Sequence, residues 1–375
     1  MNKREYINRL NGFTEEQKQQ SRIELEIYDN HLRPKGIITD LFGLTWHRKY
    51  FLPGEFELQC ALNKNNFELL VEDNLVTRLD SIEFGIVQDI KYTFDSTLGE
   101  KIIVKGKFGS ELLNWRIYDD TLNFKGTAED AIRKMVDETL ISATMEAKRV
   151  EGLELHKRNG FTEQIEFQCT NKNVLDQVNK ICRTTNLGIR VVPDFVRKKF
   201  LFDVYKGADL SKKIVFSDED GNIKNSHFEE INSTMKNYVL IKGEGEGADR
   251  VAVHIDDAGL GWYRREMFVD ARDLQRGDLP LQDYKNVLIN RGKEKYQEHK
   301  RRRTFDATTE FNNNAVYKTD WNLGDIITVR KENWGIEIQE RVTEVQEIYD
   351  NGKLDVHPTF GSPLPEIKDI LKGEM

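Results

Sequence analysis

Residues 320–361 read DWNLGDIITVRKENWGIEIQERVTEVQEIYDNGKLDVHPTFG, and their apolar side chains fall near every second position: Ile327, Val329, Ile336, Ile338, Val342, Val345 and Ile348. A period of two sends successive side chains to opposite faces of a sheet, whereas a helix needs a period of 3.6. Asp350, Asn351 and Gly352 interrupt the run with residues that tolerate positive φ. The stretch therefore predicts a β-meander with one apolar face.

A looser version of the same pattern occurs earlier, in IVQDIKYTFDSTLGEKIIVKGKFG at residues 86–109. Val87 and Ile90 correspond to Val342 and Val345. Gly99, Val104, Phe108 and Gly109 correspond to Gly352, Val356, Phe360 and Gly361. Two long strands, a glycine-containing turn and a terminal Phe-Gly make one supersecondary unit used twice. The alternative is two unrelated hairpins that share some apolar alternation. The first reading predicts an α+β, mainly β chain with two related small β-barrels and an inserted α/β domain.

The remaining chain sets the boundaries. Residues 1–21 are polar, with Tyr6, Ile7 and Leu10 as a short stripe, and are expected to be an arm. A first barrel is expected over 22–106, because a small twisted sheet leaves edges that closure removes. Within it, residues 64–73 are a short helical candidate. An insert is expected over 107–235, with a helix and exit turn at GSELLNWRIY and another helix starting at Thr127 and Asp130. That second helix places Ala131, Ile132, Met135, Val136 and Leu140 on one face. A further helix runs over 174–185, and strands follow at GIRVVPD and KKFLFDVYK. The second barrel is expected over 236–361, interrupted by a helix at about 283–299, and Pro363 and Pro365 begin a tail over 362–375.

Composition excludes more than it suggests. With 38% hydrophobic and 32% charged residues the chain is that of an ordinary globular protein. No apolar run approaches the ~20 residues that span a bilayer, and the N-terminus offers no secretory signal, so synthesis in a bacterial cytoplasm is expected. Cys60, Cys169 and Cys182 stand far apart with no CxxC pair, which points to neither a disulfide framework nor a zinc site. A net charge of −8 argues against a surface devoted to nucleic acid.

Several short motifs admit both a functional and a plainer reading. GEGEGA at 243–248 matches a dinucleotide fingerprint in letters, but a strand follows it and Glu244 and Glu246 would repel a pyrophosphate. HKRRR at 299–303 closes the long helix, where cations complement the dipole, although phosphate contact is the other possibility. Glu55 and Glu57 share a strand face as a glycosidase pair would, and as a solvated face would. Asp218 to Asn222 lack the EF-hand register and read as a turn. The seven histidines form no HExxH pair, and no catalytic, metal or cofactor residues are assigned.

A succession of segments spanning nearly the whole chain resembles phage and prophage tail hub proteins. They are EIYDNHLRPKGII (26–38), WHRKYFLPGEF (46–56), KGKFGSELL (105–113), Trp115 with Arg116, KNYVLIKGEGEGADR (236–250), REMFVDARD (265–273) and LGDIITV (323–329). That group includes siphophage tail proteins, baseplate hubs and the N-terminal module of tail-associated lysins. The resemblance implies a homotrimer at the distal end of a virion tail. Its two barrels per subunit would make a pseudo-sixfold ring between a sixfold tail tube or distal tail protein and a threefold tip, fibre or spike. DNA would pass through the lumen without specific binding, and no cofactor is implied. Ring contacts are expected at Ile86, Val87, Ile90, Tyr92, Leu323, Asp325, Ile327, Val329 and Arg330. The competing expectation is a cell-wall-degrading hydrolase.

Overall fold

The computed structural model describes residues 23–96, 99–309, 315–350 and 352–361, so the expected arm and tail lie outside the described residues. The first third of it is β1 (Leu25–Tyr28), β2 (Pro34–Ile38), β3 (Leu41–Lys49), β4 (Glu55–Ala61), α1 (Lys64–Leu69), β5 (Leu75–Arg78), β6 (Phe84–Asp95) and β7 (Gly99–Phe108). Strict alternation decides the strands. In β3 and β4, Leu44, Trp46, Phe56, Leu58 and Cys60 point into one core with Val87, Val104 and Phe108, while their neighbours in sequence point outward. Asn63 caps α1 by accepting a hydrogen bond from the Asn66 N–H.

The middle of the chain is α+β. It comprises β8 (Ile117–Thr127), α2 (Ala128–Val136), β9 (Leu153–Leu155), β10 (Gln164–Asn173), α3 (Val174–Thr185), β11 (Gly188–Asp194) and β12 (Lys199–Tyr205). Thr127 caps α2 by accepting from the Asp130 N–H, and the expected face of Ala131, Ile132, Met135, Val136 and Leu140 is fully buried. GSELL forms a 3-10 turn at Gly109–Leu113 in place of the expected helix, and Ile117 already starts a long strand.

Next come β13 (Val215–Ser217), β14 (Ile223–Ile231), β15 (Tyr238–Lys242), β16 (Ala252–Asp256), β17 (Glu266–Asp270), α4 (Leu281–Glu298), β18 (Arg302–Thr309), β19 (Ile326–Lys331), β20 (Ile336–Asp350) and β21 (Lys353–Gly361). Residues 238–298 carry a small sheet of their own, tied to the insert through the long helix, where Asn290 donates to the Glu166 carbonyl and Lys125 pairs with Asp283. Strands β15, β16 and β17 pair only with one another, and α4 packs Tyr284, Val287 and Leu288 against Val239 and Ile241.

Apart from β8 and β10, which pair with each other, the long strands lie in one 13-stranded sheet, and its order contains a repeat. Along the sheet, β14-β18-β21-β20 is followed by β3-β4-β7-β6. Every neighbouring pair in this run is antiparallel. Both quartets visit their four places in the same chain order. β20 begins paired to β19 just as β6 begins paired to β5. Each long hairpin carries a β-bulge at the same step, between Val87 and Asp89 in one and between Val342 and Glu344 in the other. Gly99 (φ +78°) and Gly352 (φ +82°) occupy the hairpin turns in the left-handed region that glycine enters without a Cβ clash. The architecture is thus mainly β, and the hairpin echo belongs to a strand-for-strand repetition. Among the described residues no ladder closes either quartet into a separate barrel; β20 and β3 join them edge to edge.

Candidate assembly surface

The joint between the quartets is a backbone ladder from Glu344 opposite Lys49 to Asp350 opposite Gly43. His47 sits on it with Nε2 2.8 Å from Glu344 Oε2 and Nδ1 3.4 Å from Glu55 Oε1. Burial disfavours the imidazolium, but the hydrogen bonds to Glu344 and Glu55 outweigh it and raise the His47 pKa above its ordinary 6.5. The His47 hydrogen bond, reinforced by Lys49, in turn holds Glu55 well below the usual carboxylate range.

On the other face lies a buried ion cluster. Arg78 Nη2 donates to Glu347 Oε2 at 2.9 Å and to Asp80 Oδ2 at 2.7 Å, and Lys318 Nζ reaches the same two oxygens at 3.1 and 3.0 Å. Arg48 forks onto Glu83 and donates through Nη1 to Tyr317 Oη and Asn322 Oδ1, both at 2.8 Å. Burial alone would raise the carboxyl pKa values of Asp80 and Glu83; Arg78 and Arg48 reverse the sign and keep both low. Charges removed from water in this way are costly unless paired, so the cluster fixes how β3, β5, β20 and the 315–323 loop meet.

At the two ends of the eight-strand run the same edges are bare. Past Val87 no strand pairs with the outer edge of β6, and none pairs with the outer edge of β14, among the described residues. Exposure follows this difference. In the covered joint none of residues 43–49 or 344–349 is exposed. On bare β6, Asp89 and Lys91 are exposed, Tyr92 is 49% exposed and Phe94 75%. Tyr92 is backed by Phe67 of α1 with ring centroids 5.7 Å apart. On β14, Asn225, His227 and Glu230 are exposed.

The expected contact residues divide by burial. Ile86, Val87, Leu323, Ile327 and Val329 are in the chain's own cores, and Asp325 is tied down by N–H groups of Ala208 and Asn322. Ile90 is half-buried. Tyr92 and Arg330 reach the surface, where Arg330 pairs with Glu337 at 2.8 Å. The short motifs find plain partners. GEGEGA lies between β15 and β16. Arg302 donates to the Glu298 carbonyl at the end of α4, Arg303 pairs with Glu230, and Lys300 lies over the Tyr296 ring. Glu57 pairs with Lys105.

Sequence reading missed two surfaces. One is β14, whose polar letters hide an edge strand. The other is the loop before β17, where Leu260 is 90% and Trp262 92% exposed; an apolar pair flanked by glycines was its only signal.

The chain matches the family described as Siphovirus ReqiPepy6 Gp37-like protein over residues 24–362. No curated protein sequence matches it. Among solved structures it is similar to a tail protein from Neisseria meningitidis, with a TM-score of 0.59 and 13% identity over 91% of this chain and 97% of that one. It is also similar to the 43 kDa tail protein of prophage MuSo2 from Shewanella oneidensis (0.58, 12%, 90% and 98%). A third likeness is to prophage tail protein gp18 from Listeria monocytogenes (0.53, 13%, 93% and 97%). At such identities the structures speak for the fold, and the match along the sequence speaks for descent. The chain belongs to the Siphovirus ReqiPepy6 Gp37-like family of siphovirus tail proteins and has a fold that phage and prophage tail proteins share.

Proposed function

We propose that this protein is a structural hub at the distal end of a phage or prophage tail. Three copies form a ring of pseudo-sixfold symmetry that adapts a sixfold tail tube to a threefold tip, fibre or spike. Support comes from one observation above all, the repeat of β14-β18-β21-β20 as β3-β4-β7-β6 within one sheet. A trimer of a doubled unit presents six near-equivalent faces, which is what a partner of sixfold symmetry needs. In this reading each quartet is one segment of a tube wall, and the barrel closes only when copies meet. The work is packing and strand pairing, not chemistry, and DNA passes through the lumen unbound. Of the expected ring contacts, Tyr92 is the side chain best placed for the role. The test is the mass of the full chain in solution, alone and after mixing with the cognate tube protein, followed by imaging. Rings of three chains with six-lobed averages are expected. A chain that stays monomeric with the tube protein present, or rings without pseudo-sixfold averages, would overturn the reading.

A further inference from the structure

We infer that the cavity between the insert and the 322–325 loop is a binding site for one neutral sugar unit. This goes beyond the ring reading above and does not depend on it.

The cavity measures about 370 Å³, inside the range of about 300–1,000 Å³ that small-molecule sites occupy. Three separate pieces of chain wall it: the segment with His156 and Phe161, the β11–β12 hairpin with Arg190, Asp203 and Tyr205, and the loop with Leu323 and Asp325. Buried Asp203 organises the polar side. It accepts from Arg190 Nε and Nη2 at 2.9 and 2.7 Å and from Asn159 Nδ2 at 3.1 Å, and His156 Nδ1 lies 3.3 Å away. The Arg190 guanidinium lies over the Tyr205 ring at 4.4 Å, and Tyr50 meets that ring edge-on at 5.2 Å between centroids. The polar side is therefore held in place before anything binds, which lowers the cost of binding.

What remains uncommitted decides the ligand. Every formal charge on the wall already has a partner: Arg190 has Asp203, Arg48 has Glu83, Lys206 has Glu163, and Asp325 accepts from the N–H groups of Ala208 and Asn322. An anion would meet Asp203 and Asp325, and a cation would meet Arg48 and Arg190, so neither sign is favoured. Among the described residues no hydrogen bond reaches Arg190 Nη1, His156 Nε2 or Tyr205 Oη. His156 is exposed, and neither Arg190 Nη1 nor Tyr205 Oη is sealed from solvent. The guanidinium N–H donates, an imidazole whose Nδ1–H is turned to Asp203 accepts at Nε2, and a phenol does both. Burial pushes the Tyr205 phenol well above its ordinary 10, so it keeps its proton. Neighbouring hydroxyls on a sugar ring each donate and accept and can meet all three groups, whereas a single amide offers its donor and its acceptor on opposite sides. Phe161 and Leu323 supply an apolar wall for the C–H face of the ring.

Saturation-transfer NMR on the full chain tests the site with the methyl glycosides of glucose, galactose, mannose and rhamnose, each alone. Acetate, methyl phosphate and N-acetylglycinamide are the charged and amide probes. The expected result is saturable transfer to at least one glycoside, with a Kd in the millimolar range of so small a ligand. Tyr205→Phe removes only the uncommitted hydroxyl and should raise that Kd about tenfold. Ala208→Trp, at an exposed position on the wall, should fill the cavity and abolish transfer. An unchanged Tm in either variant separates lost binding from lost fold. Transfer that both variants leave unchanged places the sugar elsewhere and overturns the site. Transfer only to acetate, methyl phosphate or the amide overturns the ligand class, and no transfer to any probe overturns the inference outright.

Discussion

The two quartets share order, direction and bulge, yet their outer edges differ in chemistry. Where β20 meets β3 the ladder is lined by His47, Glu344 and a buried ion cluster, and none of its residues from 43–49 or 344–349 is exposed. At the same step of the first quartet, β6 shows Tyr92 and Phe94 to solvent. One backbone plan thus carries two surfaces, and the neighbouring strand decides which. Their cores differ too. The first quartet shares a core with β1 and β5, whereas Phe360 and Phe305 of the second run continuously into the insert.

The largest expected effect breaks the comparison at the ends of the hairpins, each closed by a Phe-Gly pair, Phe108-Gly109 and Phe360-Gly361. Phe108 packs on Trp46 at 4.5 Å and Phe360 on Phe216 at 5.6 Å between ring centroids. Changing either to Ala should cost about 3–5 kcal/mol in denaturant unfolding. Amide exchange should then separate them: Phe108→Ala speeds exchange in β3, β4 and β7, and Phe360→Ala reaches β13 and the insert. Identical exchange maps would show that the two cores act as one.

Next in size is the contrast between Glu347 and Tyr92, which stand at the same step of β20 and β6. Glu347→Gln leaves Arg78 and Lys318 facing a neutral group in a buried site and should cost about 3 kcal/mol. Tyr92→Gln in the single chain should change stability by less than about 0.5 kcal/mol, as exposed positions generally do. Equal costs in a thermal unfolding series would remove the distinction between covered and bare edges.

The smallest effect is one of pH. His47 titrates above its ordinary 6.5 because Glu344 and Glu55 favour its charged form against the opposing effect of burial. Its contribution, on the order of 1 kcal/mol, is complete below the unfolded value and is lost as pH rises through the folded one. The gap in Tm between the protein and its His47→Gln variant should therefore narrow as pH rises above the ordinary 6.5 and through the raised folded value. A gap that widens over that range would reverse the assigned sign.

What could be read in the letters followed from period and contrast. Strands β20 and β21, the hairpin echo, and helices α2 and α3 alternate apolar and polar residues clearly enough to place to within a residue or two. β14 escaped because an edge strand with a wet face needs few apolar residues, and KNSHFEEI supplies mostly polar ones. The strands at 238–270 were legible as strands but not as a separate sheet, since alternation does not name a partner. The joint itself left no local signal. His47 and Glu344 are nearly 300 residues apart, at |i−j| = 297, and only the strand order brings them together. Most of the expected contact residues were picked from apolar strands, and apolar strands supply a chain's own interior first.

The paired bulges have a consequence for how such a protein can vary. Each lies at the entrance to a long ladder, and beyond it every side chain's face is set by that one extra residue. Loss or gain of a single amino acid in either hairpin arm would turn the rest of the arm inside out, exchanging Val345 for Gln346 at the interior. A change of letters in these arms keeps their faces and a change of length does not, whereas an insertion at the turns of Gly99 and Gly352 leaves both arms in register.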